Sequence, residues 1–323
     1  MRGDGQVFRP APGRVQWGYF DAALAPVGAV DSGEVFTVAS VSGLTYEPEP
    51  ERYLAPEVRA IFASEAERGP GPHLVTGPIE VRGAAPGGVL EVDILDVRLA
   101  SGHGYNVIDP VRGLFGGRVA APERVIITID QEAGRAEVLP GVTAACRPFF
   151  GVIGVAPPPG WGRLGTREPR AFGGNIDNKE LTAGARLFLP VFVPGALLGV
   201  GDGHALQGDG EVDVSALETA MEGDLRAVFR PELSLESPVA VTESHFLTMA
   251  FSAVIDECVS RAVGDMITHL QRHCGISWHD AYRLCSLCGD VRVTQVVNDQ
   301  KGVHFMLPLE LLRQLPGRLP FCD

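Results

Sequence analysis

Glycine and proline punctuate this chain so often, 40 and 25 times in 323 residues, that few stretches are free to run as long helices. Proline lacks the amide hydrogen a helix interior needs, and glycine loses the most conformational entropy when fixed there. Such a composition favours many turns and short strands. The segments between the breakers agree. IEVRG (79–83) and VLEVDILDVRLA (89–100) alternate apolar and polar residues across a GAAPGG turn, the period of half-buried strands. RVIITID (124–130) and RAEVL (135–139) read as a hairpin around QEAG. FFGVIGVAPPPGWG (149–162) is an apolar strand entering a proline-rich loop. ARLFLPVFV (185–193) is a buried strand whose internal proline predicts an edge or a bulge.

Near its end the chain changes character. FLTMAFSAVIDECVSRAVGDMITHLQRH (246–273) repeats apolar residues at helical spacing, with Gly275 as its C-cap. Ser277 is the expected N-cap of a second helix that stops at Gly289, and VRVTQVVN (291–298) returns to strand. A shorter helix is expected within 50–73. The pattern predicts a mainly β protein, with a core of sandwich or barrel type and a C-terminal helical hairpin packed on one side. The PPPGWGRLGTREPR stretch suggests dividing the chain into a β-rich part, 1–165, and a β-rich part with the hairpin, 166–323.

The charge narrows the partners. With 27 basic and 40 acidic residues the formal charge is −13, which repels phosphate backbones and argues against nucleic acid. No apolar run approaches the roughly 20 residues that cross a bilayer. The first residues lack the apolar core of a secretory signal, so the cytoplasm is the expected compartment. The six cysteines show no disulfide framework. Cys285 and Cys288 form a lone CxxC in the second helix; they read as helix thiols, with a zinc knuckle or redox pair as the alternative.

Residues 173–212, GGNIDNKELTAGARLFLPVFVPGALLGVGDGHALQGDGEV, set two polar clusters around one apolar run. Asp202 and His204 stand two apart, and on an extended segment such residues point to the same side. Gly201 and Gly203 are read as allowing close approach of a ligand. Imidazole and carboxylates are ligands for a catalytic divalent ion that keeps one position open. Asp177, Asp202 and His204 are therefore the candidate metal ligands, with zinc the expected ion. The oxygen-rich turns admit an additional calcium. Asp177 and Asp202 also have a structural alternative as turn residues. Lys179 is a candidate acid or base, or else a surface partner of Glu180 or Asp177. Asn175 is a candidate oxyanion donor, or a turn residue. Glu218 is a candidate general base or acid, with capping of a helix from Ser215 as its alternative. Gln207 and Glu211 are candidate substrate contacts. His73 is a candidate second metal ligand or substrate contact, or else a loop histidine, and His103, in a glycine-rich loop, is a weaker candidate.

The same stretch resembles the signature of the acetamidase/formamidase family. HLVTGPIEVRGAAPGGVLEVDILDV (73–97), RPFFGVIGVAP (147–157) and DAYRLCSLCGDVRVTQVVNDQKGVHFMLP (280–308) resemble other blocks of that family, in the same order. Gly88 departs from the pattern, which often has aspartate there. The resemblance implies a jelly-roll-like β-sandwich with a smaller α/β part. It implies an amidohydrolase acting on small linear amides, and self-association as a homodimer or larger homo-oligomer. It also places a histidine beside the TGPI turn, as His73 is here, and continues as strand through Glu218. The rival in class is a non-catalytic sandwich whose Asp177, Asp202, Asp209 and Glu211 hold a structural cation. A third reading is a relative acting on another C–N bond.

Overall fold

The computed structural model describes residues 5–41, 53–64 and 67–322. Two large sheets carry the fold. The first has nine strands in the order Val7–Phe8, Val35–Ser40, Met221–Arg230, Val89–Leu99, Arg186–Pro190, Val239–Val241, His245–Ser252, Lys301–Pro308 and Asp290–Gln295. The second has eleven. Its main path runs Val142–Ala145, Arg135–Leu139, Glu123–Asp130, His103–Ile108, Leu217–Glu218, Leu198–Leu206, Phe149–Gly154 and Gly173–Asn175. Leu74–Arg82 also pairs with Leu198–Leu206 and carries Val15–Trp17 and Gly28–Asp31.

The sheets bury one core between them. Val38, Leu90, Val92, Leu187 and Leu225 from the first pack in one cluster with Val75, Ile79, Phe150, Val152 and Val200 from the second. The architecture is thus a mainly β sandwich. Val89–Leu99 and Met221–Arg230 pair over ten residue positions, with one register shift between Asp224 and Leu225.

The helical hairpin lies on the outer part of the nine-stranded sheet. Ile255–Cys274 buries Cys258, Ala262, Met266 and Leu270 in a second cluster with Phe246, Ala250, Val303, Phe305 and Leu307. Gly275 ends it in left-handed conformation (φ 69°), as its sequence position predicts. Ser277 caps Trp278–Cys288 by accepting from Asp280 N. Cys285 and Cys288 sit on that second helix, and burial pushes the Cys285 thiol up to about 11.

Three local expectations are corrected. Residues 246–273 are not one helix, because His245–Ser252 is a strand and the helix starts at Ile255. Phe246 and Ala250 face the helix cluster while Leu247, Met249 and Phe251 face the sandwich core. A strand buried on both sides shows no polar alternation, so its residues mimic the start of the helix. Arg186–Pro190 is an interior strand, not an edge, paired with Val89–Leu99 and Val239–Val241; Pro190 is tolerated as its last residue. Gly201 and Gly203 admit neighbouring backbone rather than a ligand, since a Cβ on them would lie 2.8 Å from Leu74 O and 2.5 Å from Thr219 O. VFTVASVSG (35–43), β-branched and closed by glycine, reads as a strand; Val35–Ser40 forms one, and residues 42 and 43 lie outside the described residues.

Candidate active site

Adjacent strands of the eleven-stranded sheet bring the polar residues of 173–212 together. Asp202 and His204 sit on Leu198–Leu206, with His204 Nε2 3.2 Å from Asp202 Oδ2. Glu218 stands opposite His204 on the next strand, its Oε1 3.3 Å from the same nitrogen. On the other flank Phe149–Gly154 lies between Leu198–Leu206 and Gly173–Asn175. The chain leaving Gly173–Asn175 delivers Asp177, whose amide donates to Gly151 O at 3.1 Å. Asp177 therefore reaches Asp202 across Phe149–Gly154; the apolar segment between them in sequence goes to the other sheet.

Gly151 makes this convergence possible. A Cβ there would lie 2.6 Å from Asp202 Oδ2, 2.7 Å from Asp177 Oδ1 and 2.7 Å from His204 Cε1. Two overlapping donor sets result. Ligand atoms of Asp177, His204 and Glu211 all lie within 4.8 Å of one another, as do those of Asp202, His204 and Glu218. The backbone is strained where these acids attach: φ is 53° at Asp177, 57° at Asp202 and 45° at Glu211. Left-handed conformation costs a non-glycine residue on the order of 1 kcal/mol, and persists where the surroundings over-determine it.

Hydrogen bonds fix the orientation of His204. Gln207 donates through Nε2 to Asp177 O at 2.7 Å, so its Oε1 is left as acceptor for His204 Nδ1 at 2.9 Å. The proton therefore belongs on Nδ1 and the Nε2 lone pair faces the carboxylates. His204 Nε2, Asp177 Oδ1 and Asn175 Oδ1 are buried without an aligned hydrogen-bond partner among the described residues. Inward-facing orphan donors of this kind, on nitrogen and carboxylate oxygen, fit a divalent cation.

The electrostatics carry the same message. Burial pushes the Asp177 carboxyl well above its usual range, reinforced by Asp202 and Glu218 and opposed by His204. Burial and Asp177 likewise raise Glu211. Burial works against the Asp202 carboxylate, yet His73 and His204 hold it below its usual range. Burial drives Glu218 up to about 7 against the pull of His204. For His204, burial is outweighed by Glu218 and Asp202, which raise it well above an ordinary histidine. A proton on Nε2 and a divalent cation are thus alternative ways of balancing these acids, so cation binding is linked to proton release.

Asp177, Asp202, His204 and Glu218 meet as a group, and Glu211 joins them. His73 stands at the edge, its Nε2 3.7 Å from Asp202 Oδ2, with Nδ1 3.0 Å from Thr166 Oγ1. Burial lowers its pKa. Asn175 spends both amide hydrogens, on Asp177 Oδ2 (2.8 Å) and Arg167 O (3.2 Å), so it positions Asp177. The turn contact considered for Asp177 is made by Asn178, whose Oδ1 accepts from Glu180 N. Lys179 is drawn away, its Nζ 3.1 Å from Asp209 Oδ1, and Asp209 also holds Arg292. His103 lies outside the cluster, against Ser101 and the Tyr53 ring, in the wall of a cavity that Glu218 also lines.

Sequence reasoning passed over three contributors: Gly151, Thr166 and Asn298, whose Nδ2 is 3.4 Å from Asp177 Oδ2. Asn298 follows a strand, in a turn pinned by Gln295, which accepts from the amides of Val297 and Asn298. Only its place in the 280–308 block could have marked it.

Fold and centre together define the class: a mainly β sandwich with a buried imidazole–carboxylate cluster at the face of one sheet. The sequence pattern of the Acetamidase/Formamidase family matches residues 69–160 and 163–236, just over half of the chain. The chain belongs to that family. It is 31% identical over 201 residues to an acetamidase of Mycolicibacterium smegmatis, covering 44% of this chain and 49% of that protein. A formamidase of Methylophilus methylotrophus is 29% identical over 206 residues, covering 48% of this chain and 51% of that one. The chain thus spans about half the length of the curated relatives it matches. Solved structures align throughout. One described as a predicted acetamidase/formamidase of the thermophile Thermoanaerobacter tengcongensis gives a TM-score of 0.85 at 28% identity, over 97% of this chain and 99% of that one. An acetamidase from Bacillus halodurans gives 0.82 at 27% identity, over 95% and 99%.

Proposed function

We propose that this chain hydrolyses small linear amides of formamide or acetamide type, releasing ammonia and a carboxylate. Family membership supports the reaction class. The observation that carries the assignment of the centre is the buried, inward-facing His204 Nε2, 3.2 Å from Asp202 and 3.3 Å from Glu218 and without an aligned hydrogen-bond partner among the described residues. His204 with Asp202 and Glu218, or with Asp177 and Glu211, would hold the divalent ion, which we take to be zinc. Such an ion lowers the pKa of water towards about 7 and polarises a carbonyl. An additional calcium suits the oxygen-rich Asp177 and Glu211 side.

Amide hydrolysis forms a C–O bond at the carbonyl carbon, breaks the C–N bond and delivers a proton to the leaving nitrogen. Where His204, Asp177 and Glu211 hold the ion, Glu218 beside His204 is left as the group to move that proton, a carboxyl that burial raises above its usual range. Lys179, engaged with Asp209, is the less supported choice. Asn175, Gln207 and Asn298 hold the acids and His204 in place. Homo-oligomerisation and a cytoplasmic location belong to the same reading.

His204→Ala is the test. The enzyme reading expects ammonia release to fall at least about 100-fold with the fold retained, the scale of losing a positioned catalytic group. Unchanged turnover in that variant would favour the non-catalytic reading, in which the acids hold a structural cation.

A further inference from the structure

A cavity of about 280 Å³ opens beside Glu218, with Leu54, Pro56, Ile126 and Ala220 on its apolar side and Tyr53 and His103 among its polar residues. It lies on the face that carries the cluster. Tyr105 pairs with Glu218 and with Ile126, and Glu218 pairs with His204, so these side chains share one side of the sheet. Glu218 therefore touches His204 on one side and the cavity on the other, with 10% of its side chain exposed. The apolar side, Leu54, Pro56, Ile126 and Ala220, offers no charge to a ligand, and His103 is turned to Ser101 Oγ and Tyr53 O. Arg59 also lines the cavity and is exposed.

We propose that this cavity receives the acyl substituent of the substrate and favours neutral amides with acyl groups larger than acetyl. The inference rests on the amide-hydrolase reading above. A cavity of about 280 Å³ holds several waters, far more than one methyl group displaces. An acyl chain of three or four carbons replaces that water with contacts to Leu54, Pro56 and Ile126. Burying each added methylene raises kcat/KM by about fourfold while the cavity has room. A scissile carbon beside Glu218 also sets the acyl substituent towards the cavity when the nitrogen faces away from it.

The test compares kcat/KM for formamide, acetamide, propionamide, butyramide and succinamate in the wild-type protein, Ala220→Phe and Ile126→Trp. Both changes fill the cavity from partly exposed positions and leave the cluster untouched. The proposal expects a wild-type rise from formamide to butyramide. It expects each variant to lose about tenfold or more on butyramide with formamide held within about twofold, which also reports on folding. A flat wild-type series, variants that leave the series unchanged, or a preference for anionic succinamate through Arg59 would overturn it. Absence of turnover on every amide, formamide included, strikes the hydrolase reading itself and the proposal with it.

Discussion

Gly151→Ala adds one methyl group to the centre and changes no charge. The backbone at Gly151 is not left-handed, so alanine is conformationally allowed and the consequence is steric. The new Cβ would meet Asp202 Oδ2 at 2.6 Å, Asp177 Oδ1 at 2.7 Å and His204 Cε1 at 2.7 Å, each well inside ordinary contact. Asp177 and His204 are each 1% exposed, and Asn175 and Gln207 tie them down, so neither can swing away cheaply. Overpacking of this kind costs about 1–3 kcal/mol of stability. A shift of the reacting groups approaching 1 Å costs on the order of 100-fold in rate. The expected result is a folded protein, melting a few degrees lower, whose kcat/KM for acetamide falls about 100-fold. Ammonia release and a thermal melt on the same sample read both. Near wild-type activity in Gly151→Ala would refute the placement of the reaction at this cluster, because no substrate chemistry there could ignore the intrusion.

Two further changes probe the surroundings. Gln207→Leu removes the acceptor that keeps the proton on His204 Nδ1, and losing such an outer partner weakens metal affinity by about 10–100-fold; competition with a zinc chelator measures it, and unchanged affinity would contradict the tautomer assigned here. His304 tests the electrostatics of the core: burial pulls its imidazole down to about 3, against about 6.5 unfolded. The unfolded chain then binds the extra proton first, so the stability this site contributes is complete above about pH 6.5 and is lost as pH falls towards about 3. Urea titrations at pH 7.5 and 4.5 should show the wild type losing about 3 kcal/mol more than His304→Asn across that interval. An equal loss in both proteins would remove His304 as a source of acid sensitivity.

Much of this was legible because the signals were local. Period-two alternation marked Val89–Leu99, and caps marked Gly275 and Ser277. Asp202 and His204 declared themselves by spacing on one strand. What failed was non-local. His245–Ser252 is covered by the sandwich core on one face and the hairpin on the other, and that double burial erased its strand period. Lys179 looked like part of the centre because it neighbours Asp177, but chain direction past a left-handed residue sends it to Asp209. Gly151 and Asn298 lie within family-like blocks but were not singled out, because their importance lies in what faces them across strand pairs and turns. A glycine's role as empty space exists only in three dimensions.

The central claim, amide hydrolysis at an ion held by the His204 cluster, is tested most directly by ammonia release from formamide and acetamide on protein of known metal content. The account predicts turnover that falls as metal is withdrawn by a chelator and returns with zinc. Full turnover in metal-free protein would contradict the ion's part in it, and no turnover of either amide by metal-loaded protein would contradict the reaction.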